Sequence, residues 1–284
     1  MERAISRSLD LINCAFDRSV ANIVIKPNLC YYWDWTTGQT TDPRFVGALI
    51  NLIRKRISSN VDISIVESDA SAMKCKYAYR FLGFEKLAKE YGVRLVNLSE
   101  DSFVTKNVTV GANSFDIMVP QSIQKADLKI SISKIKYTME PIKLTCALKN
   151  MYGCNPYQKK FEYHPRLGEM IIALNKAMKF NLWLIDGNIV SGSQPRRIGL
   201  AMASQDPVAM DVAAAEIAGI NPHKIKYLQQ AGKEGLGRAS YVPKGISIRN
   251  FSEAYPRKSL NKKLMGKAYK IVVHLGLGKR LGVN

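Results

Sequence analysis

Short apolar runs alternate with helically spaced ones along most of the chain. Residues 23–25, 61–66 and 93–98 are brief and rich in Ile and Val, as buried strands are. Leu9, Ile12 and Phe16, then residues 45–57 and 77–91, place apolar side chains three or four apart, the helical period. Thr41-Asp-Pro marks a helix start, with Asp42 or Thr41 able to cap, and Gly92 marks a helix end. Residues 102–119 read as a small β excursion around Gly111, and 127–133 as a further strand. After them, residues 165–179 predict a helix and 180–185 a strand ending at Asp186-Gly-Asn. Residues 191–197 read as a flexible basic loop, after which 200–203 leads to a helix at 208–218 begun by Pro207.

This alternation predicts an α/β fold: a mostly parallel, Rossmann-like sheet with helices on both faces. Residues 1–250 form the expected body, divisible into lobes 1–120 and 121–250, and 251–284 a basic amphipathic tail. In such sheets ligands sit beyond the carboxyl ends of the strands. That rule gathers Lys26, Asn28, Glu67, Ser68 and Asp69 at one crevice, although they are far apart in sequence.

Composition adds a preference for partners. The 284 residues are 46% hydrophobic, ample for a sizeable core, and 42 Lys and Arg against 23 Asp and Glu give a net charge of +19. Such a balance attracts phosphates, acidic metabolites, nucleic acid or an anionic membrane. No apolar run approaches a membrane span and the first residues lack a secretory pattern, so the expected location is cytoplasmic, peripheral to the membrane at most. In the tail, Leu260, Leu264, Ala268, Ile271 and Leu275 lie on one helical face and lysines mostly on the other. Residues 256–275 are therefore read as docking on the body or on an anionic bilayer. The glycines at 232, 235 and 237 make no dinucleotide fingerprint, and there is no P-loop.

The candidate chemistry centres on Leu144-Thr-Cys-Ala-Leu-Lys-Asn-Met-Tyr-Gly-Cys154 with His164 ten residues on. Lysine supplies a point charge, asparagine both a donor and an acceptor, and glycine lets backbone approach a ligand. Lys149 and His164 are the expected catalytic pair, stabilising and protonating an anion derived from a carbonyl or carboxylate. Lys26, Asn28, Glu67, Ser68, Lys134, Lys136, Asn150, Arg196 and Arg197 are expected to bind substrate. A divalent metal could be held by Asp186, Asp206 and Asp211 with Glu67, though Asp206 before Pro207 also reads as a helix cap. Alternatively Cys30, Cys75, Cys146 and Cys154 meet to hold zinc or an iron-sulfur cluster, although the five cysteines include no CxxC pair.

Taken in order, Lys26-Pro-Asn, Thr41-Asp-Pro, Glu67-Ser, Ala126-Asp-Leu, Lys134-Ile-Lys136, Ala147-Leu-Lys-Asn-Met-Tyr-Gly, Tyr163-His, Ile185-Asp-Gly and Asp206-Pro-Val-Ala-Met-Asp resemble domain-of-unknown-function family 362. The likeness covers roughly residues 20–240 and implies an α/β fold without a single activity. Some members resemble iron-sulfur proteins, but this chain lacks their CxxCxxC run, and Thr138 stands where many relatives have histidine. A fainter resemblance, to the N-terminal half of nickel-pincer lactate racemases, implies that Lys149 touches a cofactor or substrate and that His164 is a metal ligand or proton carrier. The other racemase histidines have no counterpart, so the nickel cofactor is not carried over.

Two readings from different classes result. One is an enzyme acting on a small carboxylated or phosphorylated metabolite; the other binds anionic surfaces or nucleic acid, where Tyr31-Tyr-Trp-Asp-Trp could stack bases. Salt-dependent retention on DNA or anionic vesicles that survives Lys149→Ala favours the binder, and its absence the enzyme.

Overall fold

A computed structural model describes residues 1–257; the expected helix at 256–275 lies, but for its first two residues, outside the described residues. Among the described residues there are ten strands: β1 Asn22–Lys26, β2 Asp62–Glu67, β3 Arg94–Asn97, β4 Phe103–Val110, β5 Asn113–Pro120, β6 Leu128–Ser133, β7 Lys136–Tyr137, β8 Leu144–Thr145, β9 Leu182–Val190 and β10 Arg196–Ser204. Six form the main sheet in the order β10-β9-β6-β1-β2-β3. All its neighbours are parallel except β10, which runs antiparallel to β9. The fold is α/β, and strands from before and after residue 120 lie side by side in one sheet.

Both faces of this sheet are covered, so β1 and β9 carry the apolar runs Ile23-Val-Ile25 and Leu182-Trp-Leu-Ile185, while β2 and β6 place buried Ser64, Ser131 and Ser133 beside their isoleucines. Side chains at odd and even positions go to opposite faces. Ile23, Ile25, Ile63, Ile65, Ile130, Ile132, Leu182 and Leu184 pack with Ile5, Leu9, Phe45, Leu49 and Ile53 on one side. Val24, Val66, Trp183 and Ile185 pack with Ile171, Leu174, Val208 and Val212 on the other. The first core is closed by the helices Glu2–Leu11 and Pro43–Arg56, the second by Leu167–Met178 and Pro207–Ile217. The β4–β5 hairpin stands where the β excursion was expected, in an eight-pair antiparallel register from Phe103↔Pro120 to Val110↔Asn113.

Three local expectations change. The helix expected at 77–91 is two, Cys75–Phe81 and Phe84–Tyr91, because Gly83 turns left-handed at φ 82° and ends the hydrogen-bonding run. Asp186 is not at a strand end: β9 continues to Val190, and Asp186 sits opposite Ala201 within the ladder. The expected flexible loop at 191–197 is instead the short tip and opening pairs of the β9–β10 hairpin, with Arg196 opposite Val190 and Arg197 opposite Ile189.

Candidate functional site

The carboxyl ends of β1, β2 and β6 carry Lys26, Glu67 and Ser133, and each strand turns away just beyond. Pro27 follows Lys26 and cannot continue the ladder as a donor. The returning loop is locked by Thr41, whose hydroxyl accepts from the Asn28 amide at 2.8 Å and donates to the Ile132 carbonyl at 3.2 Å. Asp42 then caps the helix Pro43–Arg56 through the Arg44 amide at 2.9 Å. The sequence motifs are thus the joints that bring three strand ends together.

Asn150 is the hub. Its side-chain amide donates to Ser131 Oγ at 2.9 Å and reaches the Lys26 carbonyl at 3.3 Å, while its Oδ1 accepts from Asn28 Nδ2 at 2.9 Å. The short helix bearing it, Ala147–Asn150, is held at its start by buried Asp211. That carboxylate accepts from the Ala147 amide at 2.6 Å and the Leu148 amide at 3.3 Å. Burial pushes the Asp211 carboxyl up to about 7, against the lowering effect of those two amides.

Five lysines converge around this hub. Lys26 Nζ meets Glu67 Oε2 at 2.7 Å and the Pro27 carbonyl at 2.6 Å. Lys134 Nζ meets Asp186 Oδ2 at 3.1 Å and the Ile189 carbonyl at 2.8 Å. Lys136 Nζ donates to Asn28 Oδ1 at 2.6 Å and the Gln39 carbonyl at 3.0 Å, and Lys160 Nζ donates to Ser68 Oγ. These four are buried. Lys149 is partly exposed and differs from them: its ammonium lies 5.9 Å from the Tyr152 ring centroid and has no hydrogen bond or carboxylate among the described residues. Burial pushes Lys149 down to about 8, helped by the positive charge of Lys136. Burial likewise brings Lys160 to about 8 despite Glu67, and it lowers Lys134 and Lys136 as well.

Gly153 closes the floor. A Cβ there would stand 2.4 Å from Glu67 Oε1 and 2.8 Å from Lys26 Nζ, so only glycine lets this turn lie against the ion pair. Gly153→Ala should lower stability by about 1–3 kcal/mol, the usual range for forced overpacking, read as a shifted denaturation midpoint with unchanged slope. A midpoint equal to the parent protein's would mean that the Lys26–Glu67 pair is free to move aside.

The expected substrate-binding residues divide. Lys26, Asn28, Glu67, Ser68, Lys134, Lys136 and Asn150 are brought together, with Lys149 among them. Arg196 and Arg197 are exposed at the start of β10, opposite the strand whose Ile189 carbonyl takes Lys134. His164 is exposed on the turn Lys160–Arg166, with no hydrogen bond joining it to Lys149.

The metal sets do not assemble. Asp206 caps the helix Pro207–Ile217 through the Ala209 amide at 2.9 Å, Asp211 caps another helix, and Asp186 is taken by Lys134 and the Asp42 amide. Among the cysteines, Cys146 is buried beside Asp211, whereas Cys75 and Cys154 lie on the Glu67 side and Cys30 beside Lys136. Among the described residues, no group of three or more His, Cys, Asp or Glu side chains is placed to hold a metal ion. These residues therefore do not fit a metal centre, nor the metal-ligand role that the racemase resemblance implies for His164.

Lys160 was missed because the sequence gives no sign of it: in Gln158-Lys-Lys-Phe it reads as one of many surface lysines. Only the tertiary packing shows that one of the adjacent pair turns inward to Ser68.

The chain belongs to domain-of-unknown-function family 362, whose model matches residues 23–216. A thylakoid-associated protein of Synechocystis sp. is 29% identical over 140 residues, covering 44% of this chain and 43% of that protein. The lactate racemase apoprotein of Thermoanaerobacterium thermosaccharolyticum matches with a TM-score of 0.51 at 14% identity, covering 77% of this chain and 55% of that one. At this identity the likeness is one of fold. The chain spans about half the length of either relative. Among the described residues no helix is long and apolar enough to cross a membrane.

Proposed function

We propose that this member of family 362 is an enzyme acting on a small carboxylated or phosphorylated metabolite held among the five lysines. The observation that carries the reading is a charge imbalance. Lys26, Lys134, Lys136, Lys149 and Lys160 act on one another, while among the described residues only Glu67 and Asp186 oppose them by direct contact. Buried charge without a counter-charge is costly, and an anion relieves that cost by binding. Cys30 and Lys149 are the partly exposed members of the cluster, and so mark the way in.

The division of labour follows from the contacts. Lys26, Lys134, Lys136 and Lys160 are fixed by protein oxygens and supply positive potential. Lys149 is the ammonium left for the guest. An amine near pH 8 is present in both protonation states under ordinary conditions, so it can give or take a proton as well as stabilise an oxyanion. Proton transfer is assigned to Lys149, and exposed His164 is not required for it. The fold shared with a lactate racemase is in keeping with chemistry on a small carboxylate.

Titration calorimetry tests this with inorganic phosphate and a panel of hydroxy- and oxo-carboxylates. A bound anion favours the charged amine, raising Lys149 from about 8 towards the ordinary lysine value of about 10.4. Binding between those limits should then take up protons, so its heat should change with the ionisation heat of the buffer. Lys149→Ala should reduce both affinity and proton uptake, and abolish any turnover found with the bound compound. Anion binding indifferent to Lys149→Ala would remove the basis of the proposal.

A further inference from the structure

The loops that build the lysine cluster also display aromatic rings that the cluster does not use. Tyr31, Tyr32 and Trp33, in the loop after β1, are 48%, 39% and 50% exposed; Tyr77 and Phe81, on the helix after β2, are 44% and 63% exposed. They form two groups. Phe81 packs edge-on with Tyr32 at 5.8 Å between centroids and stacks with Tyr77 at 6.0 Å, while Tyr31 lies tilted against Trp33 at 5.8 Å.

The rings are held outward by the backbone. Tyr31 takes a left-handed φ of 52°, which non-glycine residues rarely adopt, and the Tyr32 hydroxyl accepts from the Lys74 amide at 3.0 Å. Among the described residues, one unpaired cation stands beside them. Lys76 stands 5.8 Å from the Tyr77 centroid and has no carboxylate partner among the described residues. Lys74 is paired with Asp69 and Arg80 with Glu85, and Asp34 is occupied in capping the turn Trp35–Thr37.

We propose that this aromatic face docks on an anionic lipid bilayer. Tyrosine and tryptophan, each an apolar body with a polar tip, suit the headgroup region, and basic residues beside them add attraction to anionic lipid. The charge of +19 points the same way and opposes a second copy of the chain as the occupant. Single-stranded nucleic acid is served less well, since base stacking needs free ring faces and here Tyr77 and Phe81 stack on each other. Docking on this face would bring the entrance beside Cys30 close to the membrane. The surface uses none of the five lysines, so it stands or falls separately from the enzymatic reading.

Vesicle flotation of the full chain compares phosphatidylcholine containing phosphatidylglycerol with phosphatidylcholine alone. Trp33 is also an intrinsic probe, since Trp183 is buried and Trp35 is covered by the Arg44 guanidinium at 3.9 Å. Binding should require the anionic lipid, and brominated acyl chains should quench an emission component that is missing in Trp33→Ala. Trp33→Ala and Phe81→Ala should each lower partitioning by about tenfold, the worth of one partly exposed ring leaving water. Both sites are exposed, and unchanged thermal unfolding verifies that the variants fold.

Binding that is unchanged in both ring variants would overturn the proposal and assign membrane attraction to another part of the chain. So would Trp33-dependent retention of a single-stranded oligonucleotide with no vesicle binding, or Trp33-dependent dimerisation in their place.

Discussion

Lys149→Met should make the protein more stable while removing its anion binding. The ammonium is mostly buried, lacks a hydrogen-bonding partner and is pushed from 10.5 to about 8, chiefly by burial. Each unit of such a shift corresponds to about 1.4 kcal/mol. Allowing for partial exposure, the charge costs the folded state about 2 kcal/mol, and an unbranched apolar side chain of similar length avoids that cost. The sign of the pH dependence follows. A lysine whose folded value lies below its unfolded value carries its full penalty below pH 8 and loses it as pH rises through the ordinary lysine range. The advantage of Lys149→Met, read from denaturant midpoints, should therefore be full near neutrality and shrink towards pH 10. A variant less stable than the parent at neutral pH would show that the ammonium has a structural partner and is not reserved for a ligand.

Glu67→Ala should be the most damaging single change at the site. Lys26 and Glu67 are both buried and 2.7 Å apart, and Glu67 Oε1 also accepts from the Ser68 amide at 3.0 Å. Removing one member of a buried pair typically costs about 3–5 kcal/mol, because the remaining charge is left without compensation. Here the remaining charge joins four other lysines, which places the expected loss at the upper end of that range. The double replacement Lys26→Met with Glu67→Leu should recover most of it, as an apolar pair of similar volume can match an ion pair. A double variant no better than Glu67→Ala would assign the loss to packing around Gly153 and not to charge.

The parallel sheet was legible because β1, β2 and β6 are short segments rich in Ile and Val, broken by no more than single polar residues, that stand between helically spaced ones. The caps at Asp42 and Asp206 were legible because Asp before Pro at a helix start has a local cause. The rule that strand ends gather polar groups brought Lys26, Asn28 and Glu67 to one place, as found. What escaped were features decided by distant packing. Asp186 read as a strand end because Gly187 follows it, yet pairing with β10 carries the strand on to Val190. Asp211 read as a metal candidate, whereas it holds the amides of a helix 64 residues earlier in the chain. No local pattern distinguishes a lysine turned inward from one left in water, so Lys160 was invisible until the fold was seen.

Asn150 ties together the ends of β1 and β6 from a helix that follows β8 by two residues. The intervening antiparallel pair of β7 and β8 is short, with Lys136↔Thr145 and Tyr137↔Leu144 as its rungs. Additional residues at its tip, beyond those rungs, would lengthen a peripheral loop at small entropic cost and leave the asparagine clasp in register. The protein thus has a place where new recognition elements could be grafted without retuning the chemistry beneath them.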